Sequence, residues 1–530
     1  MRTNARPGRV LLWALLTTVG VGAAACAGSD EGSDRSPWVP GDDTWQGDQD
    51  VAPGEPPDGD PSFREIELST PVLLGADLVV TNRLRGTLIR VGVDAAGVRI
   101  SSTPLGFEPA DVVTLDVAGS LVALSSDGLR VALVRWEAED PVVVVRRLAA
   151  PARRVSTSPD GRAFVLWTPA ATGQAGAPVS EVQWARVQGD ELRIHQISVG
   201  AFLREVRFSD DGAEAYVLSD DGVSVLRAAE LEGDTFVPPV PYLALTEEPE
   251  DFVLTQALLF PRERALVLPH REEPRLRVLR WATGAWEDMA FEEAPRALRG
   301  VDGGRWVHLL PGERRVQVWD ISALDVPALD LAVEQSVETL VLGGSGEHVY
   351  LFDRRGEADA NRHLIEVDLQ AQTARVVLLR KGIQSVVVEP SGQHLIVVHR
   401  HAARALPPGA SEAEILRATP GYSLVERETL RPKLVLTSLM PNAVAVDEAG
   451  THALLRLEER GQHALQHVDL VTYVVRDLAL RSRPRDIGFL ARPGWAYASQ
   501  EHPLGRFAFY DVVTRERREV TGFELQAWVE

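Results

Sequence analysis

A short phrase built around glycine recurs along almost the whole chain, and it constrains the fold more than any other feature. Residues 157–167 read TSPDGRAFVLW, a polar turn followed by an apolar run. The close copies are FSDDGAEAYVL at 208–218, LGGSGEHVYLF at 342–352, VEPSGQHLIVV at 388–398 and VDEAGTHALLRL at 446–457. Weaker copies begin at residues 72, 115, 301 and 490. LFPRERALVL at 259–268 fits with Glu263 in place of the glycine.

The presence of glycine in each copy is explained by the backbone geometry of a tight turn. A tight hairpin turn needs a residue at positive φ, which glycine adopts without steric cost. The Asp or Ser that often precedes it bonds to its own backbone two residues on. The ten anchor positions are Gly75, Gly119, Gly161, Gly212, Glu263, Gly304, Gly346, Gly392, Gly450 and Gly494. Each copy therefore predicts one hairpin.

The spacing of the anchors predicts the fold class. They lie 41 to 58 residues apart, and a unit of that size with four short strands is typical of a β-propeller blade. Around Gly346, strands are predicted at 337–342, 348–352, 363–369 and 374–379, with charges on the last, which suits an outer edge. We predict an all-β propeller of about ten four-stranded blades in one large ring. A ring of seven or eight blades, or two rings, are the alternatives.

Two short segments complete the predicted elements. ASEAEILRA at 410–418 is the one plausible short helix. EIEL at 65–68 alternates charged and apolar residues, so we expect it to pair near FAFYDVV at 507–513 and close the ring.

Several stretches resemble known propeller repeats. LVVTNRLRGTLIRVGVDAAG at 78–97 and HVYLFDRRGEADANRHLIEVDLQAQTARVV at 348–377 resemble the YVTN-type repeat of exported bacterial proteins. RRVQVWD at 314–320 resembles the third strand of a WD40 blade. These resemblances run over most of residues 70–521. They imply the fold and leave the activity open, because propellers host many unrelated functions.

The N-terminus predicts export. Residues 1–9 carry three arginines and no acid, residues 10–21 are nearly all apolar, and small residues follow up to Cys26, the only cysteine in the chain. This order is typical of a secretory signal peptide. The apolar run is shorter than the roughly 20 residues that a membrane span needs.

The end of this leader resembles the lipobox of bacterial lipoproteins, although Ala23 stands where that family most often has leucine. The resemblance implies that residues 1–25 are a lipoprotein signal peptide and that Cys26 is lipidated. Ala27 and Gly28 lack the aspartate that retains lipoproteins at the inner membrane, so the resemblance implies anchoring in the outer membrane. The alternative is an ordinary cleaved signal with an incidental Cys26.

The region after Cys26 predicts a tether. Residues 27–62 hold ten acids against one base, Arg35, and are rich in Gly, Pro and Ser. Such a segment cannot bury enough apolar surface to offset its ordering entropy. We therefore assign residues 26–62 to an acidic disordered tether and residues 63–530 to the propeller. The formal net charge of the chain is −21 and no basic stripe occurs, so we expect no nucleic-acid partner.

Recurring acidic residues and histidines are interpreted as structural. Asp320, Asp368, Asp469 and Asp511 end equivalent predicted third strands, which indicates a repeated turn cap rather than catalytic carboxylates. The pairs His399 with His401 and His463 with His467 share strand parity, as metal-binding pairs can, but neither has a third ligand at a recognisable spacing. We predict no metal site, no catalytic residue and no cofactor.

The longest insertion lies between Val398 and Tyr422, in the loop between the second and third strands of its unit. Binding is often built on loops that a rigid scaffold holds in place. Arg400, His401, Arg404 and Arg417 form the candidate partner-binding loop, in which the arginines suit an anionic partner. A tolerated surface insertion is the alternative interpretation.

These observations predict a lipid-anchored propeller of the cell envelope, in the periplasm or at the cell surface. It would act as a non-catalytic binding or scaffold module for a protein or glycan, and would touch the membrane only through its lipid. The alternative is a propeller enzyme of lactonase or quinoprotein type, whose site would lie at the central channel.

Overall fold

The computed structural model describes residues 68–522, except for residues 95–96, 116–118, 137–140, 171–179, 190, 221, 232–241, 245–251, 254–255, 282, 302, 334, 336, 345, 356–360 and 403–405. Cys26 and the predicted tether lie outside the described residues.

Forty strands form ten sheets of four antiparallel strands each, and every sheet uses four strands that are consecutive in sequence. The strands of blades 1 to 5 are β1 Val72–Leu74, β2 Asp77–Asn82, β3 Thr87–Asp94, β4 Gly97–Pro104, β5 Pro109–Thr114, β6 Ser120–Ser125, β7 Arg130–Trp136, β8 Pro141–Arg147, β9 Arg154–Thr157, β10 Ala163–Trp167, β11 Ser180–Gln188, β12 Glu191–Val199, β13 Leu203–Phe208, β14 Glu214–Ser219, β15 Gly222–Arg227, β16 Tyr242–Ala244, β17 Leu258–Phe260, β18 Ala265–Pro269, β19 Arg275–Arg280 and β20 Ala285–Ala290.

The strands of blades 6 to 10 are β21 Arg296–Val301, β22 Arg305–Leu310, β23 Arg315–Asp320, β24 Leu329–Ala332, β25 Thr339–Leu342, β26 His348–Phe352, β27 His363–Asp368, β28 Thr373–Leu378, β29 Ile383–Val388, β30 His394–His399, β31 Gly421–Glu426, β32 Pro432–Leu436, β33 Pro441–Val446, β34 His452–Glu459, β35 Gln462–Asp469, β36 Val474–Leu478, β37 Pro484–Phe489, β38 Trp495–Gln500, β39 Arg506–Asp511 and β40 Arg517–Thr521. The predicted strands around Gly346 agree with β25 to β28 to within two residues.

The recurring turn is the first hairpin of every blade. All nine anchor glycines lie between a first and a second strand, with φ between 59° and 80°. Blade 5 corrects one assignment, because Arg264, with φ 51°, takes the positive-φ position there rather than Glu263. A non-glycine residue is therefore tolerated at this position in one blade.

The hydrophobic core lies between the blades rather than within any one of them. Ten buried clusters are present in the described residues, and each joins two neighbouring blades. Successive side chains of a strand point to opposite faces of its sheet. In β2, Leu78 and Val80 accordingly pack towards blade 10, whereas Val79 packs towards blade 2. The middle strands are apolar on both faces for this reason.

Blades 1 and 10 close the molecule into one ten-bladed ring. Leu78 and Ile89 of blade 1 share a buried cluster with Phe507 and Phe509 of blade 10. Nη1 of Arg492 also donates to the carbonyl oxygen of Val93 at 2.9 Å. The ring is therefore single, as the favoured prediction had it, and the alternatives of fewer blades or two rings are wrong.

Among the described residues, the closure rests on side-chain packing between blades 1 and 10. Leu68 forms a β-bridge with Asn82 of blade 1, not with residues 507–513, so the predicted pairing of EIEL with the last blade is wrong for the part that is described. Apolar packing on the facing sides of blades 1 and 10 provides the contact that an exchanged strand would otherwise supply.

The predicted helix is present as α1, Glu412–Ala418. Ser411 is its N-cap and forms a capping box with Glu414, which satisfies two backbone donors at the helix start. A 3₁₀ turn is also present at Ala228–Leu231.

The order of the strands defines two faces of the ring. First strands of successive blades contact each other, so they line the central channel, and fourth strands form the outer rim. Because neighbouring strands are antiparallel, first strands begin at the end where second strands finish. We call this side the upper face; it carries the connections between blades and the loops between second and third strands. The lower face carries the glycine hairpins.

Candidate functional site

The four predicted aspartate caps lie on the lower face and are confirmed as turn residues. Oδ1 of Asp469 accepts hydrogen bonds from the backbone N–H groups of Val471 and Thr472, at 3.0 and 2.8 Å. Asp320, Asp368 and Asp511 accept the equivalent bonds after their own strands. Burial alone would raise the pKa of Asp469 and of Asp511, but these backbone donors lower each overall. The four carboxylates hold turns together.

The histidines of the two predicted pairs take part in separate local contacts. His399 is fully buried at the end of β30, where Nε2 lies 2.7 Å from Oγ of Ser423. Burial lowers its pKa, and that of His467, to about 4, so both rings are neutral at pH 7. Nε2 of His467 lies 3.2 Å from Nδ1 of His452. Within the described ranges no cluster of three or more His, Cys, Asp or Glu residues is arranged to hold a metal ion.

The predicted partner-binding loop lies on the upper face, in blade 8. Arg400 is half-buried, and its Nε donates to the carbonyl oxygen of Ile383 at 3.0 Å. Nε2 of His401 lies 3.7 Å from a carboxylate oxygen of Glu459 in blade 9. Arg417 is exposed in the last turn of α1. Arg404 lies outside the described residues. The structure thus leaves Arg417 as the most accessible described member of the set.

A buried lysine fixes this insertion to the ring. The side chain of Lys381, which precedes β29, is only 2% exposed. Its Nζ donates to the carbonyl oxygen of Thr419 at 2.8 Å and to that of Leu416. Burial lowers the pKa of Lys381 to about 8, so it is mainly charged at pH 7. The cation sits at the C-terminal end of α1, where helix carbonyls favour positive charge.

Bulges at the starts of first strands were not predicted. In blades 2, 4, 6, 8, 9 and 10 the pairing of the first two strands shifts by at least one residue near its start. A bulge inserts an extra residue and redirects side chains. In blades 8, 9 and 10 the inserted residues are Gln384, Asn442 and Arg485, all exposed. We call these three residues the upper arc, since they lie at the upper mouth of the channel.

The upper arc is tied together by hydrogen bonds between blades 9 and 10. Nε of Arg456 donates to Oδ1 of Asn442 at 3.0 Å, and its Nη1 donates to the backbone carbonyl of Arg485. Nδ2 of Asn442 donates to Glu458 at 3.0 Å. The arc therefore holds fixed polar groups on rigid strands.

A polar cavity of about 440 Å³ opens on the upper face beside the arc, between blade 10 and the segment that enters blade 1. Arg485 and Asp486 from the β37 bulge, Ser499 and Gln500 from the end of β38, and His502 contribute to its wall. Sequence reasoning missed this cavity because Leu68, which also lines it, lies more than 400 residues from the others. No local sequence pattern links Leu68 to the residues of the β37 bulge.

Hydrogen bonds fix several groups of the cavity wall. Oε1 of Gln500 accepts from the backbone N–H groups of Arg481 and Ser482, at 3.0 and 2.9 Å, while its Nε2 has no partner among the described residues. Oγ of Ser499 donates to Oδ2 of Asp486 at 3.1 Å. Nδ1 of His502 accepts from the N–H of Leu504 at 3.1 Å. The wall thus offers both donors and acceptors.

Comparison with known proteins gives no family. No protein-family model matches the chain, and no curated protein matches it. Solved structures with similar folds include hydrazine synthase of Kuenenia stuttgartiensis (14% identity, TM-score 0.32, 60% of this chain and 94% of that one). Apo AztD of Citrobacter koseri is 14% identical, with a TM-score of 0.37, over 68% of this chain and 95% of that one. Dihydro-heme d1 dehydrogenase NirN is 12% identical, with a TM-score of 0.39, over 77% of this chain and 75% of that one. At these values the likenesses carry no argument about function.

No helix in the described part of the chain is both long and apolar enough to span a bilayer.

Proposed function

We propose that this chain is a non-catalytic binding module of the cell envelope that holds a protein or glycan partner on its upper face. The observation that carries the proposal is the clustering of three features on blades 8 to 10. The docked insertion of blade 8, the upper arc of blades 8 to 10 and the polar cavity beside blade 10 all lie on the upper face. Binding residues are commonly found on such loops and strand ends of a rigid scaffold.

The proposal includes attachment to a membrane through lipid on Cys26, in the outer membrane of a two-membrane bacterium. The leader pattern supports it, and a lone unpaired thiol in an exported protein is a liability that lipidation removes. Stable anchoring needs more than one acyl chain, since each buried CH₂ adds only about 0.8 kcal/mol. The acidic segment after Cys26 would hold the ring away from the bilayer.

Partner capture with matched surface variants tests the binding function. The full chain is immobilised and exposed to envelope extract, with Arg417→Glu as the test variant and Arg162→Glu as the control. Arg162 is exposed in a lower-face hairpin, so both variants reverse one surface charge. A partner retained by wild type and by the control, and lost by Arg417→Glu, supports the proposal. Retention of nothing, or equal retention by all three proteins, contradicts it.

Detergent partitioning tests the anchor. Wild-type chain expressed in a bacterium with an outer membrane is expected in the detergent phase of a Triton X-114 separation, and Cys26→Ser in the aqueous phase. Mass spectrometry of the mature N-terminus should find acyl groups on Cys26. Identical partitioning of the two proteins would rule out the lipid anchor.

A further inference from the structure

We propose that the cavity between blades 10 and 1 is a saccharide-binding site, in which the β37 bulge provides the main polar contacts. This inference rests on the proposed binding function and deepens it, because it names one ligand class and one place on the upper face.

The cavity wall carries two polar groups whose hydrogen-bonding capacity is not used by the described residues. The guanidinium of Arg485 is exposed and has no hydrogen-bond or ion-pair partner in the described part of the chain. Gln500 is only 3% exposed, and its Nε2 also lacks a partner there. A buried donor without a partner costs free energy that an acceptor on a ligand would recover.

The cavity wall combines hydrogen-bond donors with hydrogen-bond acceptors. Asp486 places a carboxylate in the same wall, one oxygen of which receives the hydroxyl of Ser499. Nδ1 of His502 is an acceptor for a backbone N–H, so the neutral ring carries its proton on Nε2 and can donate. Hydroxyl groups both donate and accept. A ligand rich in hydroxyls can therefore satisfy Arg485, Asp486 and His502 together.

The cavity wall carries charges of both signs. Arg485 is the cation that lines the wall, next to the carboxylate of Asp486, and it has no ion-pair partner among the described residues. Glu501 also lines the cavity, but it faces Arg483, whose Nη1 lies 3.4 Å from its carboxylate. A simple anion would be repelled by Asp486 and a simple cation by Arg485. The charges therefore favour a neutral polar ligand.

The size and the lining of the cavity suit a single sugar ring. A volume of about 440 Å³ falls within the roughly 300–1,000 Å³ of small-molecule sites. Leu68 and Pro503 add apolar surface beside the polar groups. A pyranose ring presents C–H groups on its faces and hydroxyls around its edge. These match the apolar surface and the polar groups of the cavity wall.

Saturation-transfer NMR on the full chain in detergent tests the inference. Glucose, galactose, mannose and N-acetylglucosamine are the probes, and glycine is the zwitterionic competitor. Wild type is expected to transfer saturation to at least one sugar. Arg485→Ala and Asp486→Asn should each weaken that binding at least about fivefold, the effect of losing one or two hydrogen bonds.

The matched control is Arg162→Ala, which removes an exposed guanidinium from a lower-face hairpin, away from the cavity. It should leave sugar binding unchanged. Transfer to none of the four sugars, an unchanged affinity in both cavity variants, or displacement of the sugar by glycine at equal concentration would each overturn the inference. Failure here is distinct from failure of the binding function, since retention of a protein partner through Arg417 can persist without any sugar binding.

Discussion

At the scale of the residue, the anchor glycine has two roles, of which the backbone angle is only the first. In three of the hairpins a Cβ would also approach the acidic side chain in the hairpin of the preceding blade: Gly212 faces Asp160, Gly304 faces Glu263 and Gly450 faces Glu389. The side chain of Glu263 therefore packs against Gly304, the anchor glycine of the next blade. The repeat thus specifies how neighbouring turns pack as well as how each turn bends.

The two roles can be separated by substitution. Gly75 has φ 59° and open space around it, whereas Gly450 has φ 70° and a Cβ there would collide with the carboxylate of Glu389. Gly75→Ala should lower the free energy of unfolding by about 1 kcal/mol, the cost of a left-handed alanine. Gly450→Ala should lower it by about 3 kcal/mol, because steric overlap adds to that cost. Urea titration measures both, and equal losses would show that packing between turns is unimportant.

Buried histidines make stability depend on pH. Burial lowers the pKa of His308, His399 and His467 from 6.5 to about 4. The unfolded chain therefore takes up protons first as pH falls, so their contribution is complete above pH 6.5 and is lost towards pH 4. Each histidine can add a slope of about 1.4 kcal/mol per pH unit.

His308→Phe tests that dependence, because the ring of His308 already packs edge-on against Phe291 at 5.0 Å. The free energy of unfolding should be measured between pH 7 and 4.5. Its slope against pH should be smaller in this variant than in wild type by up to about 1.4 kcal/mol per pH unit, which corresponds to one proton. His363→Phe, at a half-exposed position, is the control. A slope in His308→Phe equal to that of wild type would refute the assignment.

At the scale of the element, the insertion of blade 8 is held by one cation. Lys381→Met removes the donor to Leu416 and Thr419 at the C-terminal end of α1. We expect limited proteolysis within residues 400–420 to become at least about tenfold faster, which corresponds to a loss of about 1.4 kcal/mol in local stability.

Lys433→Met is the matched control for that experiment. Lys433 is the only other lysine, and its Nζ also donates to a carbonyl oxygen, that of Tyr473 at 2.7 Å. It lies in the exposed outer strand of the same blade, so its loss should not affect the insertion. Equal cleavage rates in both variants would mean that Lys381 does not dock the helix.

The elements differ in how far sequence could predict them. The hairpins and α1 were predictable because local chemistry determines them: glycine at positive φ, and Ser411 with Glu414 at a helix start. The bulges were not, because a residue such as Asn442 has no local preference that marks it as inserted. Its displacement results from how β33 pairs with β34.

At the scale of the whole molecule, the count of ten blades followed from ten anchors, but the ring did not. Closure depends on contacts between Leu78 and Phe509, more than 400 residues apart, and no local pattern encodes that distance. The cavity has the same origin, since the segment at Leu68 meets the β37 bulge only after closure. The candidate site is therefore a product of the closed ring and could not be derived from one blade.

Because the described contacts that close the ring are apolar packing and a hydrogen bond from Arg492, the seam between blades 1 and 10 is the critical contact of the structure. Single-particle electron microscopy of the full chain, viewed along the channel, tests it directly. If blades 1 and 10 close the ring as described, the images should show one closed ring of ten evenly spaced blades. Two smaller rings, another number of blades, or a gap between the first and last blades would contradict it.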